Sequence, residues 1–238
     1  MYRRLVEIRV KETVDDFRKR EDIQCVFGEP IVCYSDATDP LYEKLHEEGL
    51  SRKPKRTYRA GNTVITHYVP VIEKPESMLK AHFESIWLAM EINKGIRSLF
   101  REYGRLTSNS SSLVEWNDEV MHYDWDDRIV AYVAGIGDIG PAGSLKVPGS
   151  YAGRASSILL DYKMCQPDEY EDLDKEVERY LKKACYISSP GFNAMCPGGA
   201  ITENGIDRKA CQEYCRAINP STPCPEVCGK CFEINCTE

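Results

Sequence analysis

The distribution of cysteine constrains this chain more than any other feature. There are 11 cysteines, and only Cys25, Cys33 and Cys165 fall in the first 184 residues. The others, Cys185, Cys196, Cys211, Cys215, Cys224, Cys228, Cys231 and Cys236, crowd the C-terminal end. A secreted disulfide scaffold is usually small, with cysteines throughout. A cysteine-poor body followed by a cysteine-dense segment instead predicts a metal-binding module in a reducing compartment. The opening Met1-Tyr-Arg-Arg-Leu-Val-Glu7 has no apolar core before a small-residue cleavage site, so a cytoplasmic location is expected rather than secretion.

A chain of 238 residues suits one large domain, or one domain with a small appendage. The boundary is expected near residue 184, dividing a body over 1–184 from a cysteine-rich module over 185–238. The apolar runs, Thr63–Ile72 and Ile86–Met90, are far shorter than the roughly 20 residues of a membrane span, so no membrane association is expected. A net charge of −7 disfavours a general nucleic-acid surface. The basic run Arg52, Lys53, Lys55, Arg56 and Arg59 reads as a solvated loop.

Local signals place the elements. Residues 1–24 read as a charged amphipathic helix carried by Leu5, Ile8, Val10, Val14 and Phe17, and residues 25–35 as a short strand region. Asp39 is an N-cap with Pro40 at the first helical position, and that helix would run to about His46 and stop near Gly49. Val64–Ile72 reads as a buried strand. The strongest helix spans 77–103, with Met78, Leu79, Phe83, Ile86, Trp87, Met90, Ile92, Ile96 and Leu99 near helical spacing and Gly104 ending it. Ser108–Ser112 reads as a polar loop, 125–134 as a helix ending at Gly135, Ser157–Tyr162 as a strand and 168–184 as an acidic helix.

Residues 135–153 hold six glycines and two prolines and are expected to form a shaped loop. Gly135-Ile-Gly137-Asp-Ile-Gly140 matches G-x-G-x-x-G, but Pro141 follows at once, so no helix can open there to receive a pyrophosphate. A glycine-rich turn is the favoured reading. A further one is a loop whose backbone lies against a large flat ligand, because glycine has no Cβ to hold it off.

In the cysteine module, Cys228-x2-Cys231 can place two sulfurs on one side of a turn. Cys196-Pro197 bends the chain away after delivering its sulfur. Thiolates on such tight turns suit an iron–sulfur cube. Cys211-x3-Cys215 with Cys228-x2-Cys231 would equally supply four thiolates to a structural zinc ion.

Cys196-Pro-Gly-Gly-Ala-Ile201, then Asn204-Gly-Ile-Asp207, then Cys211, resembles the bacterial two-cluster ferredoxin module. The resemblance implies one [4Fe–4S] cluster on Cys196, Cys211, Cys228 and Cys231. The ferredoxin pattern wants three further cysteines before Cys196, where this chain has Tyr186, Ser189 and Phe192. Cys185, Cys215, Cys224 and Cys236 are left either for a second, irregular cluster or as buried or free thiols.

The body resembles the epoxyqueuosine reductase and reductive dehalogenase superfamily. The resemblance is carried by Glu29–Tyr42, by Asn62-Thr-Val-Ile-Thr-His-Tyr-Val-Pro70, and most of all by Ala134-Gly-Ile-Gly137 with the glycine- and proline-rich turn and strand that run to Asp161. It implies an α+β fold: a nitroreductase-like domain that binds cobalamin, followed by the small C-terminal ferredoxin-like module that feeds electrons to the cobalt. The corrinoid would lie against Gly135, Gly137, Gly140, Gly143 and Gly149. Tyr123, in His122-Tyr-Asp124, lies where a proton donor would sit, with packing or helix capping as the plainer reading. The family's acidic residue is replaced by Met121, and its C-terminal helical extension is not found within these residues, so queuosine synthesis is not expected. The expected function is that of an iron–sulfur reductase supplied by a ferredoxin or flavodoxin. The rivals are a non-catalytic electron-transfer or corrinoid-handling accessory protein and a zinc-stabilised binding module.

Overall fold

The computed structural model describes residues 1–47, 63–109, 116–117, 122–123, 126–139, 145–184, 196–202, 205–220 and 228. The architecture is mixed α+β. Its centre is a four-stranded antiparallel sheet of β1 (Ile31–Asp36), β2 (Thr63–Tyr68), β3 (Thr107–Asn109) and β8 (Ala155–Leu160), in the order β1-β2-β8-β3. The pairing register runs Thr63 opposite Leu160 through Tyr68 opposite Ala155.

Helices cover both faces of this sheet. On one face lie α1 (Tyr2–Arg18) and α3 (Met78–Glu102), which pack against each other. They bury Val6, Val10, Val14, Phe17, Leu88, Ile92, Ile96 and Phe100 against Ile65, Ile158 and Leu160 of the sheet. On the other face α4 (Asp127–Val133) sets Val130 against Val64 and Leu159, and Ala131 against Tyr68 and Ala155. Two covered faces explain why all six positions of β2, and all six of β8, are buried. Alternation is lost where both sides of a strand meet a core.

Beyond α4 lies a smaller cluster. Here α2 (Pro40–Glu47) and α5 (Leu173–Ala184) bring Leu41, Leu45, Val177 and Tyr180 together with Ile129, Val133 and Ile139. Asp39 starts α2 as expected, its Oδ1 accepting from the Leu41 amide at 2.9 Å. The same carboxylate accepts from the Tyr170 hydroxyl at 2.9 Å and the Asp168 amide at 3.0 Å, which ties α2 to the segment leading into α5.

Several expectations shift. The first helix stops at Arg18, with Ile8 exposed and Val6 buried in its place. Trp87 and Met90 lie on the solvent side of α3, whose buried stripe includes Glu84, Ser85 and Asn93. The Glu84 carboxylate sits in the core and accepts from the backbone N–H groups of Gln24 and Cys25 at 3.1 and 2.8 Å. Ser108 and Asn109, read as the start of a polar loop, belong to the strand Thr107–Asn109 because β8 offers it an edge. Helix α3 ends as expected: the Gly104 amide donates to the Arg101 carbonyl and the Arg105 amide to the Phe100 carbonyl, with Gly104 at φ +64°. The basic run 50–61 and the stop at Gly49 lie outside the described residues. No helix among the described residues is long and apolar enough to cross a membrane.

Candidate metal centre

Among the described residues a turn, a helix and a later segment carry the cysteines of this module. The chain turns at Cys196-Pro-Gly-Gly199, pairs β9 (Ile201–Thr202) with β10 (Gly205–Ile206), and enters α6 (Arg208–Ile218). Asp207 is the N-cap of α6, its side chain accepting from the Ala210 amide at 3.0 Å. The turn is locked on its own sulfur, because the Ala200 amide donates to Cys196 Sγ at 3.3 Å and the Gly199 amide to the Cys196 carbonyl at 3.0 Å.

This turn presses on α6. A Cβ at Gly198 would lie 2.7 Å from Tyr214 Cβ and 2.9 Å from its Cγ, so only glycine lets the two backbones approach this closely. The approach brings Cys196 toward Cys211. Cys228, from the segment after α6, reaches the same place. Burial pushes the Cys211 thiol above its usual range; the Cys215 thiol opposes this by hydrogen bonding, while the nearby charges of Cys228 and Cys196 add to it. Three of the four sulfurs expected to bind metal, Cys196, Cys211 and Cys228, are thus near neighbours. The fourth, Cys231, lies outside the described residues, as do Cys185, Cys224 and Cys236.

Sequence reasoning placed Cys215 only in the zinc alternative and left it out of the cluster set. It lies one helical turn after Cys211, on the same face of α6, and is wholly buried. Burial and the neighbouring Cys211 and Cys228 thiols push its pKa up to about 12. The signal that could have found it is the i, i+4 spacing in Cys211-Gln-Glu-Tyr-Cys215, which acquires meaning only once the segment is known to be helical. Among the described residues no group of three or more His, Cys, Asp or Glu side chains is arranged to hold a metal ion. The sulfurs touch in sequence, Cys211 to Cys215 to Cys228, rather than around one point.

The site abuts the body through charge. Arg208, in the first turn of α6, has Arg128, Asp126, Cys211 and Tyr180 as electrostatic neighbours, and burial followed by the Arg128 charge lowers its pKa. Arg128 hydrogen-bonds Asp126 through Nε at 2.9 Å. Burial alone would lower the Arg128 pKa, but Asp126 outweighs it and the net shift is upward. Arg208 thus stands beside Cys211 on one side and the Arg128–Asp126 pair of the body on the other.

The glycine segment lies at the other end of the same helix. Gly135, at φ +75°, stops α4, and β6 (Asp138–Ile139) then pairs with β7 (Leu145–Lys146). A Cβ on Gly137 would collide with the Lys146 carbonyl oxygen, so the space it spares is filled by β7. Gly149, at φ +73°, has nothing close to its missing Cβ. Gly140 and Gly143 lie outside the described residues. Tyr123 lies on β5 (His122–Tyr123), paired with Trp116 of β4 (Trp116–Asn117); its side chain is outside the described part.

The three remaining thiols sit in the body. Burial, aided by Glu84, pushes Cys25 up to about 12, and burial also raises Cys33 and Cys165. Among the described residues, none of the three has another cysteine among the main groups acting on it.

No known protein family, curated protein or solved structure matches this chain. What the chain does is therefore read from its own residues.

Proposed function

We propose that this chain is an iron–sulfur redox protein whose C-terminal thiolates hold a [4Fe–4S] cluster and whose body receives the electron. The observation that carries this reading is that Cys196, from a turn, and Cys228, from a later segment, both act electrostatically on Cys211 of α6, with a backbone amide already donating to the Cys196 sulfur. Soft thiolates are the donors that iron–sulfur clusters select. The ligand set on this reading is Cys196, Cys211, Cys228 and Cys231, and the module it organises would be ferredoxin-like. When bound, such a cluster supplies one-electron transfer.

The chain's own residues have definable tasks here. The Ala200 amide donates to the Cys196 sulfur, and Arg208 brings a positive charge beside Cys211 from the body side. Helix α4 separates the thiols from the glycine segment; seven residues at about 1.5 Å rise span roughly 10 Å. An acceptor held against residues 135–149 would thus lie one short helix away from the electron source. The body would then be a nitroreductase-like domain, its acceptor a corrinoid and its electron donor a ferredoxin or flavodoxin, with Tyr123 as proton donor.

A second reading draws on a specific observation. The contacts of Cys215 with Cys211 and Cys228 also suit a structural zinc ion on Cys211, Cys215, Cys228 and Cys231. Visible spectroscopy of protein purified without oxygen separates the two. The iron–sulfur reading expects a brown protein whose broad absorption bleaches with dithionite; a colourless protein carrying zinc would overturn it. Titration of the same protein with cobalamin under reducing conditions tests the acceptor. A saturable spectral shift is expected, and its absence would remove the corrinoid and leave an electron carrier.

A further inference from the structure

We propose that the outer face of α3 is a homodimer interface, on which a second copy of this chain packs its own α3 antiparallel to the first. Neither the metal centre nor its ligand set bears on this surface.

The first ground is an apolar stripe that the body leaves uncovered. Leu79, Phe83, Ile86, Trp87 and Met90 recur at the i, i+4, i+7, i+8 and i+11 spacing that places them on one side of α3. The inward side of the same helix already carries its own buried stripe, which includes Ala81, Leu88, Ile92, Ile96 and Phe100. Trp87 is 45% exposed and Met90 63%, while Leu79, Phe83 and Ile86 are partly buried. Scattered exposed apolar side chains need no partner, but five on one helix face form a patch, and aromatic residues and Met are what interfaces favour. The stripe also matches its own reverse. A twofold axis perpendicular to the helix, passing between Ile86 and Trp87, sets Ile86 against Trp87 of the second copy and Phe83 against its Met90.

Charge is the second ground, and it selects both the occupant and its direction. Exposed Glu73 and Glu76 precede the stripe, with Lys74 between them, and Lys94, Arg97 and Arg101 follow it on the same side of the helix. Glu73, Glu76, Arg97 and Arg101 form no ion pair with a described residue, and Arg97 Nε is buried with no hydrogen-bond partner among them. The axis between Ile86 and Trp87 brings Glu76 opposite Arg97 of the second copy, one turn from its Lys94. Lys80 and Glu91 share one flank of the stripe, and a perpendicular twofold keeps that flank on its own side. Lys80, which reaches Glu84 of its own chain only at 4.0 Å, then comes within about 3 Å along the axis of the second copy's Glu91. That Glu91 also holds Lys94 of its own chain at 3.5 Å. A parallel pair would instead set Glu76 against Glu76 and Arg97 against Arg97, and like charges across an interface repel.

The test is sedimentation velocity on the full chain, purified without oxygen and kept in reductant so that no disulfide links two copies, in a dilution series from about 100 μM. Wild type is expected to sediment at twice the chain mass at the upper end and to dissociate on dilution. Met90→Glu sets a carboxylate against Phe83 of the second copy and should be a monomer throughout, with an unchanged far-UV circular dichroism spectrum because Met90 is exposed. Glu76→Lys and Lys94→Glu each act twice across a twofold interface; each should weaken association by roughly tenfold, and both together in one chain should return it to within about threefold of wild type. Wild type that stays monomeric overturns the proposal, whether another segment of the chain or a different protein covers the stripe. A dimer that survives in Met90→Glu overturns it, as does a double variant that associates no more tightly than either single one. Should Met90→Glu fail to fold, the two surface charge variants decide alone, and self-association that they leave unchanged overturns the proposal equally.

Discussion

Acidification is expected to unfold the body through a single imidazole. His67 lies in β2, wholly buried on the α3 side of the sheet. Its Nε2 lies 2.8 Å from Asn93 Oδ1, and Asn93 Nδ2 donates to Ser156 Oγ at 2.9 Å. Because Asn93 uses its amide nitrogen on Ser156, its oxygen faces His67, and His67 Nε2 is the donor. Nδ1 has no hydrogen-bond partner among the described residues. Burial, offset in part by the bond to Asn93, lowers the His67 pKa from 6.5 to about 4. The folded protein therefore keeps the ring neutral where the unfolded chain takes up a proton. The associated stability is complete above pH 6.5 and is lost as the pH falls toward about 4. At about 1.4 kcal/mol per pH unit, the gap is worth roughly 3 kcal/mol, of which about 2 kcal/mol is lost between about pH 7 and pH 4.5. Urea unfolding followed by far-UV circular dichroism at those two pH values measures it. His67→Gln keeps an N–H donor toward Asn93 but cannot titrate, so its stability should fall about 2 kcal/mol less than wild type over the same interval. Carboxylate titration is common to both proteins and cancels. Parallel losses in the two proteins would refute the assignment.

Two other perturbations address the tie between fold and metal centre. Gly198→Ala places a Cβ 2.7 Å from Tyr214 Cβ, should cost about 1–3 kcal/mol of module stability and should at least halve metal content in elemental analysis. Adding Tyr214→Gly, which removes both that Cβ and the Cγ behind it, should restore metal, and failure to do so would show that the close approach is not the cause. Asp39→Ala removes the α2 cap and the links to Tyr170 and Asp168, and should cost about 2–3 kcal/mol in thermal unfolding, with Asp39→Asn losing less; an unchanged melting temperature would contradict this.

Much of the fold was legible wherever a local signal was enough. Asp39-Pro40 opened α2, Gly104 closed α3 and Gly135 closed α4, because caps depend only on the residues within a turn of the helix end. Signals that depend on distant partners were not legible. The full burial of β2 follows from α4 returning to cover a second face. Trp87 and Met90 fit a helical period as well as Leu88 and Ile92 do, and only the position of α1 and the sheet decides which stripe turns inward. Thr107-Ser-Asn109 has weak strand propensity and pairs because β8 leaves an edge open. The candidate site divides in the same way. Cys196, Cys211 and Cys228 were singled out by motif, and Cys196 and Cys228 act electrostatically on Cys211; Cys215, named from spacing only for zinc, is shown buried one turn beyond Cys211 once α6 is formed.

Iron and acid-labile sulfide analysis of the wild-type chain, expressed and purified without oxygen, tests the central claim most directly. The thiolate site described here predicts about four iron atoms and about four sulfides per chain. One zinc ion per chain with no iron, or no bound metal at all, would contradict it.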